Sequence, residues 1–391
     1  MKSGTQNPGH GTRDLGLCTV LHIDPVLTPA ALREFIRLPW RLQGRDPHWV
    51  PPLLAEERKL LDTRKNPFYR QAAIACFLAR GADGAPVGRI AAIDNRAHVD
   101  FHGERVGFFG FFECADDPAA ARALVDAARA WVKGRGLPAI RGPVNPSTND
   151  SCGTLVEGFD APPFFMMPHN PPFHDALLTG AGLAKAMDLY AWHVDSKTID
   201  VARMERLAKR IAERGAGVRV RPIDHRRFRE EVEVVRGIYN RAWARNWGFV
   251  PLSKEEFDYA AEGFRKVVVP DFVLVAEAEG APSGFALALP DLNRALRHAN
   301  GRLFPFGWWK VMRAMKAIRA IRVLTLGVVP EHQASGLGML LYFEIIRRGL
   351  AIGYNEAELS WVLETNDLVN RAAEAMGARI HKRYRIYEGP V

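Results

Sequence analysis

The order of apolar and polar segments in the first half of this 391-residue chain returns in the second half. In each half, two apolar runs flank a Gly-containing turn, the pattern of a β-hairpin, at residues 74–78 and 87–93 and again at 272–278 and 283–289. Each hairpin precedes another apolar strand, an amphipathic helix and a further strand. We therefore predict an α/β fold with a mixed sheet, present in two copies that are joined near residues 195–211.

The two halves also end alike. Asn170 precedes Gly182 by twelve residues and Asn366 precedes Gly377 by eleven, and a strand bearing Tyr and Lys or Arg follows each Gly. Asn at the start of a helix and Gly after its end are favourable caps, so we predict that each Asn begins a helix. The predicted organisation is a flexible tail at residues 1–16, a first domain at 17–195 and a second domain at 196–391.

Composition narrows the class of protein. The length suits two domains of average size, and a net charge of +9 favours acidic partners such as phosphate-rich cofactors, anionic lipid surfaces or nucleic acid. The four cysteines lie far apart without metal-type spacing, which indicates free thiols, a reducing compartment and no metal site. No apolar run approaches the roughly 18 residues of a membrane span, and the N-terminal residues do not resemble a signal peptide. The expected location is the cytoplasm.

A strand, a turn with two glycines and a helix follow one another at residues 323–341. The free N–H groups at the start of such a helix, together with its positive dipole end, form an anion site. Gly336 and Gly338 would let the backbone approach a phosphate closely, although the spacing matches neither common nucleotide-binding loop. The corresponding turn of the first half carries Glu113, Asp116 and Asp117 and no glycine, so only the second half is expected to bind a pyrophosphate.

The spacing of Gln333, Gly336 and Gly338 resembles the pyrophosphate-binding motif of the GNAT acyl-CoA N-acyltransferases. The resemblance covers residues 216–391 and implies tandem GNAT folds, of which the first is degenerate. It implies acyl-CoA, either acetyl-CoA or a long-chain acyl-CoA, as cosubstrate, with the pyrophosphate on the N–H groups of Gln333, Ala334, Ser335, Gly336, Leu337 and Gly338. It also implies that Asn366 contacts the pantetheine, and that the central strand bulges near Val328, whose N–H polarises the thioester carbonyl.

Two positions depart from the family pattern. Ala373 stands where many members have a Tyr that protonates the leaving thiolate, and Thr325 stands where many have a Glu base. The substitutes within reach are Glu364 and Tyr342, followed by His332 and Tyr384. Loss of the amine proton to water, with catalysis by orientation, is the alternative.

A segment at residues 291–322 is additional to a minimal GNAT domain. It carries eight Lys or Arg residues, and no acidic residue occurs between 292 and 330. The aromatic residues at its centre are Phe304, Phe306, Trp308 and Trp309. Cations beside Trp and Phe suit an anionic membrane surface. A solvated basic helix and a grip on the adenosine phosphates remain open, whereas no nucleic-acid-binding fold is recognised.

Two irregular segments of the first half are candidates for substrate contact. Residues 164–173 are rich in Pro, Met and Phe, which suits either a channel for an alkyl chain or packing between the halves. The polar residues 145–152 either face the reacting amine or serve as turn formers. Cys152 has no His nearby in sequence to activate it as a nucleophile.

The whole chain is similar to bacterial double-GNAT proteins, a group that includes the bacterial ceramide synthase type. The segments that carry this resemblance are R-L-P-W-R-L at 37–42, D-P-H-W-V-P-P-L at 46–53, G-F-F-G-F-F-E-C at 107–114, G-P-V-N-P-S-T-N-D at 142–150 and N-G-R-L-F-P-F-G at 300–307. The resemblance implies transfer of a fatty acyl group to a lipid or sphingoid-base amine at a membrane surface. A soluble N-acetyltransferase of small-molecule, peptide or protein amines, and a non-catalytic acyl-CoA-binding protein, are the alternatives.

Overall fold

The computed structural model describes residues 21–214 and 217–391, so the tail predicted at residues 1–16 lies outside the described residues. The strands within these ranges are β1 His22–Pro25, β2 Ala72–Arg80, β3 Pro86–Asn95, β4 Val106–Cys114, β5 Ala139–Gly142, β6 Val144–Asn145, β7 Ser151–Cys152, β8 Thr154–Glu157, β9 Ala184–Asp195, β10 Arg219–Pro222, β11 Val273–Ala278, β12 Ala281–Pro290, β13 Ala320–Val328, β14 Glu356–Leu363 and β15 Arg379–Pro390. The α-helices are α1 Pro29–Leu42, α2 Leu54–Leu60, α3 Arg96–His102, α4 Pro118–Gly134, α5 His174–Gly180, α6 Val201–Arg214, α7 Phe228–Ala242, α8 Lys254–Phe264, α9 Asn293–Leu296, α10 Gly307–Met315, α11 Leu337–Ala351 and α12 Asp367–Ala375.

One mixed sheet crosses both halves of the described chain. Its strand order is β1-β2-β3-β4-β5-β15-β9-β14-β13-β12-β11-β10, with β8 added beside β15. Neighbouring strands are antiparallel except β4 with β5 and β13 with β14, which are parallel. The predicted α/β class with a mixed sheet is therefore confirmed.

The two parallel pairs are the repeated unit of the fold. A parallel pair needs a crossover connection, and α4 and α11 supply it in the first and second half respectively. Each helix buries one apolar face against the sheet, through Leu124 and Ala128 on α4 and through Leu341 and Ile345 on α11. The predicted duplication of element order is thus present in the structure.

The last strands of the two halves are exchanged in the sheet. Strand β9 closes the first half in sequence but pairs with β14 of the second half, and β15 closes the chain but pairs with β5 of the first half. The two exchanged strands also pair with each other along most of their length. The division at residue 195 remains a prediction, and the sheet ladder runs across it without a break.

Asn170 and Asn366 were each predicted to begin a helix, and the structure confirms this for Asn366 but not for Asn170. Asn366 caps α12, where its side chain accepts from the N–H of Val369 at 3.3 Å. Asn170 does not begin a helix, because α5 starts only at His174. The Asn170 side chain is buried and instead accepts from the N–H of Leu155 at 2.7 Å, which ties β8 to the following loop.

Candidate active site

Strands β13 and β14 separate from each other part of the way along their length. They pair only from Ala320 opposite Glu356 to Val323 opposite Leu359. Beyond this point, β13 continues to Val328 without a strand partner on that side. Backbone groups that face the gap are free to bond an extended ligand, as at the edge of a sheet.

The central strand bulges inside this gap. Leu287 of β12 lies opposite Thr325 and Ala288 lies opposite Val323, so Leu324 is the extra residue on β13. The bulge predicted near Val328 is therefore four residues earlier. Val328 itself pairs in regular register with Gly284 and packs into the core. The sequence located the strand correctly, but the register with its neighbour depends on tertiary pairing.

The glycine-containing loop follows directly after β13. A 3-10 turn, Pro330–Ser335, leads to Gly336 with a φ of +85°, and α11 begins at the next residue. A Cβ on Gly336 would lie 2.9 Å from Ile211, so both the backbone angle and the space require glycine. Gly338 has more room, since the atom nearest to a Cβ at this position would be a Leu326 methyl at 3.7 Å.

Hydrogen bonds inside the loop fix its shape. Gln333 Nε2 donates to the Val328 carbonyl at 3.3 Å, and Ser335 Oγ donates to the His332 carbonyl at 2.6 Å. Ser335 Oγ also accepts from the Leu337 N–H at 3.3 Å. Gln333, Ala334 and Ser335 are exposed, and the first N–H groups of α11 lack acceptors within the helix. The assignment of residues 333–338 to a pyrophosphate remains a prediction that this geometry accommodates.

A cleft opens beside the separated strands, with an accessible volume of about 280 Å³. Helices α7 and α8 form its opposite wall. Its lining is mainly apolar and aromatic, and includes Phe228, Tyr239, Trp243, Trp247, Phe249, Phe257 and Phe264. The first half adds Thr148, Asn149, Asp150 and Met166, so both irregular segments of the first half reach this cleft.

Some of the candidate catalytic residues line the cleft and others lie outside it. Tyr342, Asn366 and Thr325 line the cleft. Burial raises the pKa of the Tyr342 phenol well above its usual value, so this hydroxyl keeps its proton and can act as a donor. Glu364 is not part of the lining. Its carboxylate accepts from Lys185 Nζ at 2.8 Å and from the Asp188 N–H at 2.9 Å, which commits it to β9.

The remaining candidates offer little to a reaction in the cleft. Ala373 is completely buried in the core behind the sheet, and Tyr384 is buried outside the cleft lining. His332 lies half-buried in the glycine loop. Burial raises the pKa of the Cys152 thiol to about 12, so it is not a nucleophilic thiolate. Within residues 21–214 and 217–391, no group of His, Cys, Asp and Glu could hold a metal ion.

The corresponding gap of the first half is filled by the chain itself. Strands β4 and β5 pair only from Val106 to Phe108 on β4, and the segment that includes β6 enters the space beyond. Asn145 Oδ1 accepts from the N–H of Phe111 at 2.5 Å, which satisfies a strand donor that a ligand would otherwise use. A Cβ on Gly110 would overlap the carbonyl of Val144, so the two backbones are in direct contact. This steric occupation adds to the acidic turn as a reason for the first half to lack a cofactor site.

Arg322, the last cation of the basic segment in sequence, belongs to the central strand in the structure. Arg322 lies on β13, is 3% exposed and lines the floor of the cleft. Its guanidinium donates to Ser360 Oγ at 2.8 Å, to the Ser360 carbonyl at 2.9 Å and to the Phe165 carbonyl at 2.7 Å. It therefore fastens β13 to β14 and to the first half. A charged residue in an apolar strand was the available signal for such a buried role.

Similar solved structures define the class of protein. A tandem GNAT protein from the clavulanic acid biosynthesis pathway aligns with a TM-score of 0.55 at 14% identity, over 95% of this chain and 98% of that chain. A GCN5-related N-acetyltransferase from Sphaerobacter thermophilus aligns with a TM-score of 0.51 at 14% identity, over 95% of each chain. The fold is thus that of two GNAT domains in tandem. No family model matches the sequence.

Curated relatives then identify the family. The bacterial ceramide synthase of Caulobacter vibrioides is 38% identical over 378 residues, which are 94% of this chain and 97% of that protein. The protein YghO of Escherichia coli K12 is 38% identical over 363 residues, which are 91% and 92% of the two chains. The chain belongs to the family of these two proteins and is an N-acyltransferase enzyme of the tandem GNAT class. The cosubstrate that this fold implies is an acyl-CoA.

Proposed function

We propose that the protein transfers a fatty acyl group from acyl-CoA to the amine of a long-chain lipid, of the sphingoid-base kind, at an anionic membrane surface. The apolar and aromatic lining of the cleft carries this proposal, because the cleft lies along the free edge of β13, where the thioester would bind. An acetyl group and a small polar amine would leave most of its aromatic lining exposed to water. The ceramide synthase relative supports the same substrate class.

Acyl-CoA would be held at three places along β13 and α11. The N–H groups of residues 333–338 would bind the pyrophosphate at the positive end of α11. The free strand edge at residues 324–326 would bind the pantetheine and polarise the thioester carbonyl, in place of Val328. Asn366 lies at the cleft beside the end of β14, which suits contact with the pantetheine, and Tyr342 would donate a proton to the leaving thiolate.

The basic segment displays an exposed aromatic surface. Phe304 and Phe306 are 80% and 73% exposed, and Trp308, Trp309 and Met312 are each about half exposed. We call these five residues the insert patch. Its surrounding cations, Arg302, Lys310, Arg313 and Lys316, are also exposed, and Arg313 stacks over Trp309 at 5.8 Å. Apolar rings among cations, with no acidic residue between 292 and 330, fit anionic lipid headgroups.

The insert patch is connected to the cleft through the packing beneath it. Leu292, Ala295 and Ile318 form a small core that packs against Phe165 and Val267. The residues next in sequence to these two, Met166 and Val268, line the cleft. A lipid amine held in a membrane under the insert patch would therefore lie close to the apolar cleft. None of the helices in the described ranges could itself span a bilayer.

Mass spectrometry of the products tests the proposed function. The purified protein would be incubated with palmitoyl-CoA or acetyl-CoA and with sphinganine or ethanolamine, in the presence of phosphatidylglycerol vesicles. We expect N-palmitoyl sphinganine as the main product. Acetylation of ethanolamine alone would indicate a soluble acetyltransferase, and turnover of neither thioester would indicate a non-catalytic acyl-CoA-binding protein, so either result contradicts the proposal.

A further inference from the structure

Two carboxylates line the cleft, and only one of them is free of a cation. Glu231 accepts from the guanidinium of Arg221 at 2.7 Å. Asp150, on the wall that the first half contributes, has no Lys, Arg or His within 4.0 Å among the described residues. A cationic ligand in this cleft would therefore find one uncompensated anionic partner.

The Asp150 side chain is held at one oxygen. Ser147 Oγ donates to Asp150 Oδ2 at 2.7 Å, and the Asp150 N–H donates to the Ser147 carbonyl at 3.1 Å. In the part of the chain that the structure describes, no side chain donates to Oδ1. One oxygen is thus fixed by a turn, and the other is available to a ligand in the cleft.

The turn that carries Asp150 is clamped to the second half. Thr148 Oγ1 donates to the Gly248 carbonyl at 2.8 Å, and Asn149 Oδ1 accepts from the hydroxyl of Tyr239 at 2.6 Å. These contacts join a first-half turn to α7 and to the loop that follows it. A side chain supplied across the two halves is therefore positioned as firmly as one from the second half itself.

The surroundings of Asp150 also favour proton exchange near neutral pH. Burial raises the pKa of this carboxyl to about 6, the hydrogen bonds from Ser147 oppose the rise, and the nearby Glu256 carboxylate adds to it. The other titratable groups that face it are Tyr69, Tyr239, Tyr259 and Cys152. The pKa of each of these is raised, so they stay neutral near pH 7.

We infer that Asp150 is the catalytic base of the acyl transfer and the anionic partner that draws an ammonium group into the cleft, an inference that rests on the proposed function. The Asp150 carboxylate takes one proton from the substrate ammonium. The neutral amine then attacks the thioester carbon, so that a C–N bond forms and the C–S bond breaks. The leaving thiolate takes a proton from Tyr342, which recovers the second amine proton, so that CoA leaves as the free thiol, and the protonated Asp150 returns its proton to water. This role replaces the missing Glu at Thr325.

The variant Asp150→Asn tests this role because its amide oxygen can still accept from Ser147. With palmitoyl-CoA and sphinganine, we expect kcat/KM at pH 7 to fall about 100-fold or more. The wild-type rate should fall as the pH drops below about 6, the pKa of Asp150. The variant should not show this decrease in rate near pH 6. Its rate should instead rise steadily with pH as more of the amine substrate is unprotonated. Asp116→Asn, at an exposed position outside the cleft, is the matched control and should behave as the wild type.

The possible results distinguish a failure of the Asp150 role from a failure of the proposed function. An active wild type together with an Asp150→Asn variant that keeps its rate and its pH profile would overturn the role of Asp150 and leave the proposed function intact. A wild type that turns over no acyl-CoA would overturn both. Thermal unfolding of both variants distinguishes a folding defect, and Asp150→Glu should recover part of the rate and the acidic step only if a carboxylate is the requirement.

Discussion

The two glycines of the loop after β13 differ in whether the fold itself requires glycine. Gly336 is required by the backbone, because its φ of +85° and the 2.9 Å approach to Ile211 leave no place for a side chain. Gly338 is in the first turn of α11 with ordinary space around it, so nothing in the fold demands glycine there. The fold therefore leaves room for a methyl group at this position, and only a larger or charged side chain is expected to interfere with a bound pyrophosphate.

We predict that Gly338→Glu folds normally but binds acyl-CoA at least about tenfold more weakly, since its carboxylate would repel the pyrophosphate at the start of α11. The measurement is palmitoyl-CoA affinity by isothermal titration, with thermal unfolding recorded in parallel. Gly338→Ala is the matched control and should keep both affinity and stability, because a methyl group fits the observed space. Unchanged affinity in the Glu variant would place the cofactor elsewhere.

Residues whose proposed chemistry depends on local spacing could be named from the sequence. The residues 333–338, Asn366 and Tyr342 were named from the sequence, and all of them lie on the loop or the cleft. Leu324 and Asp150 could not be assigned in this way. The bulge at Leu324 depends on the register with β12, and the role of Asp150 depends on a first-half turn reaching α7.

At the scale of elements, α10 lies at the surface and carries the exposed side chains of Trp308 and Trp309. None of its residues is fully buried, whereas α11 buries six. Of the cations in this segment, Lys310 and Arg313 lie on α10, and the exposed aromatic residues of the insert patch lie on the helix or directly before it. The sequence predicted the composition of this surface, but only the structure showed that its aromatic side chains face outward.

We predict that Trp308→Ala with Trp309→Ala weakens binding to phosphatidylglycerol vesicles by about tenfold or more, from the apolar area that each ring would bury. Co-sedimentation measures this, and raising the salt concentration should weaken wild-type binding as well. Leu27→Ala with Ile352→Ala removes two exposed apolar side chains outside the segment and should bind as the wild type does. Equal binding by both double variants would rule out the insert patch as the membrane contact.

At the scale of the whole molecule, the duplicated fold leaves the gap beside β13 open and fills the corresponding gap beside β4. The first half fills its own gap with residues 144–145, and the chain that continues from there supplies Asp150 to the cleft of the second half. The exchanged strands β9 and β15 hold the two halves in register for this purpose. The repeat of elements was readable in the sequence, but the exchange was not, because both strands have similar patterns and could pair with either half.

The measurement that tests this account most directly is a crystal structure of the protein with palmitoyl-CoA. We predict one cofactor per chain, with its pyrophosphate on the N–H groups of residues 333–338, its thioester against β13 near Leu324 and its alkyl chain between α7 and the separated strands. A cofactor in the first half, or one bound away from the loop after β13, would contradict the account.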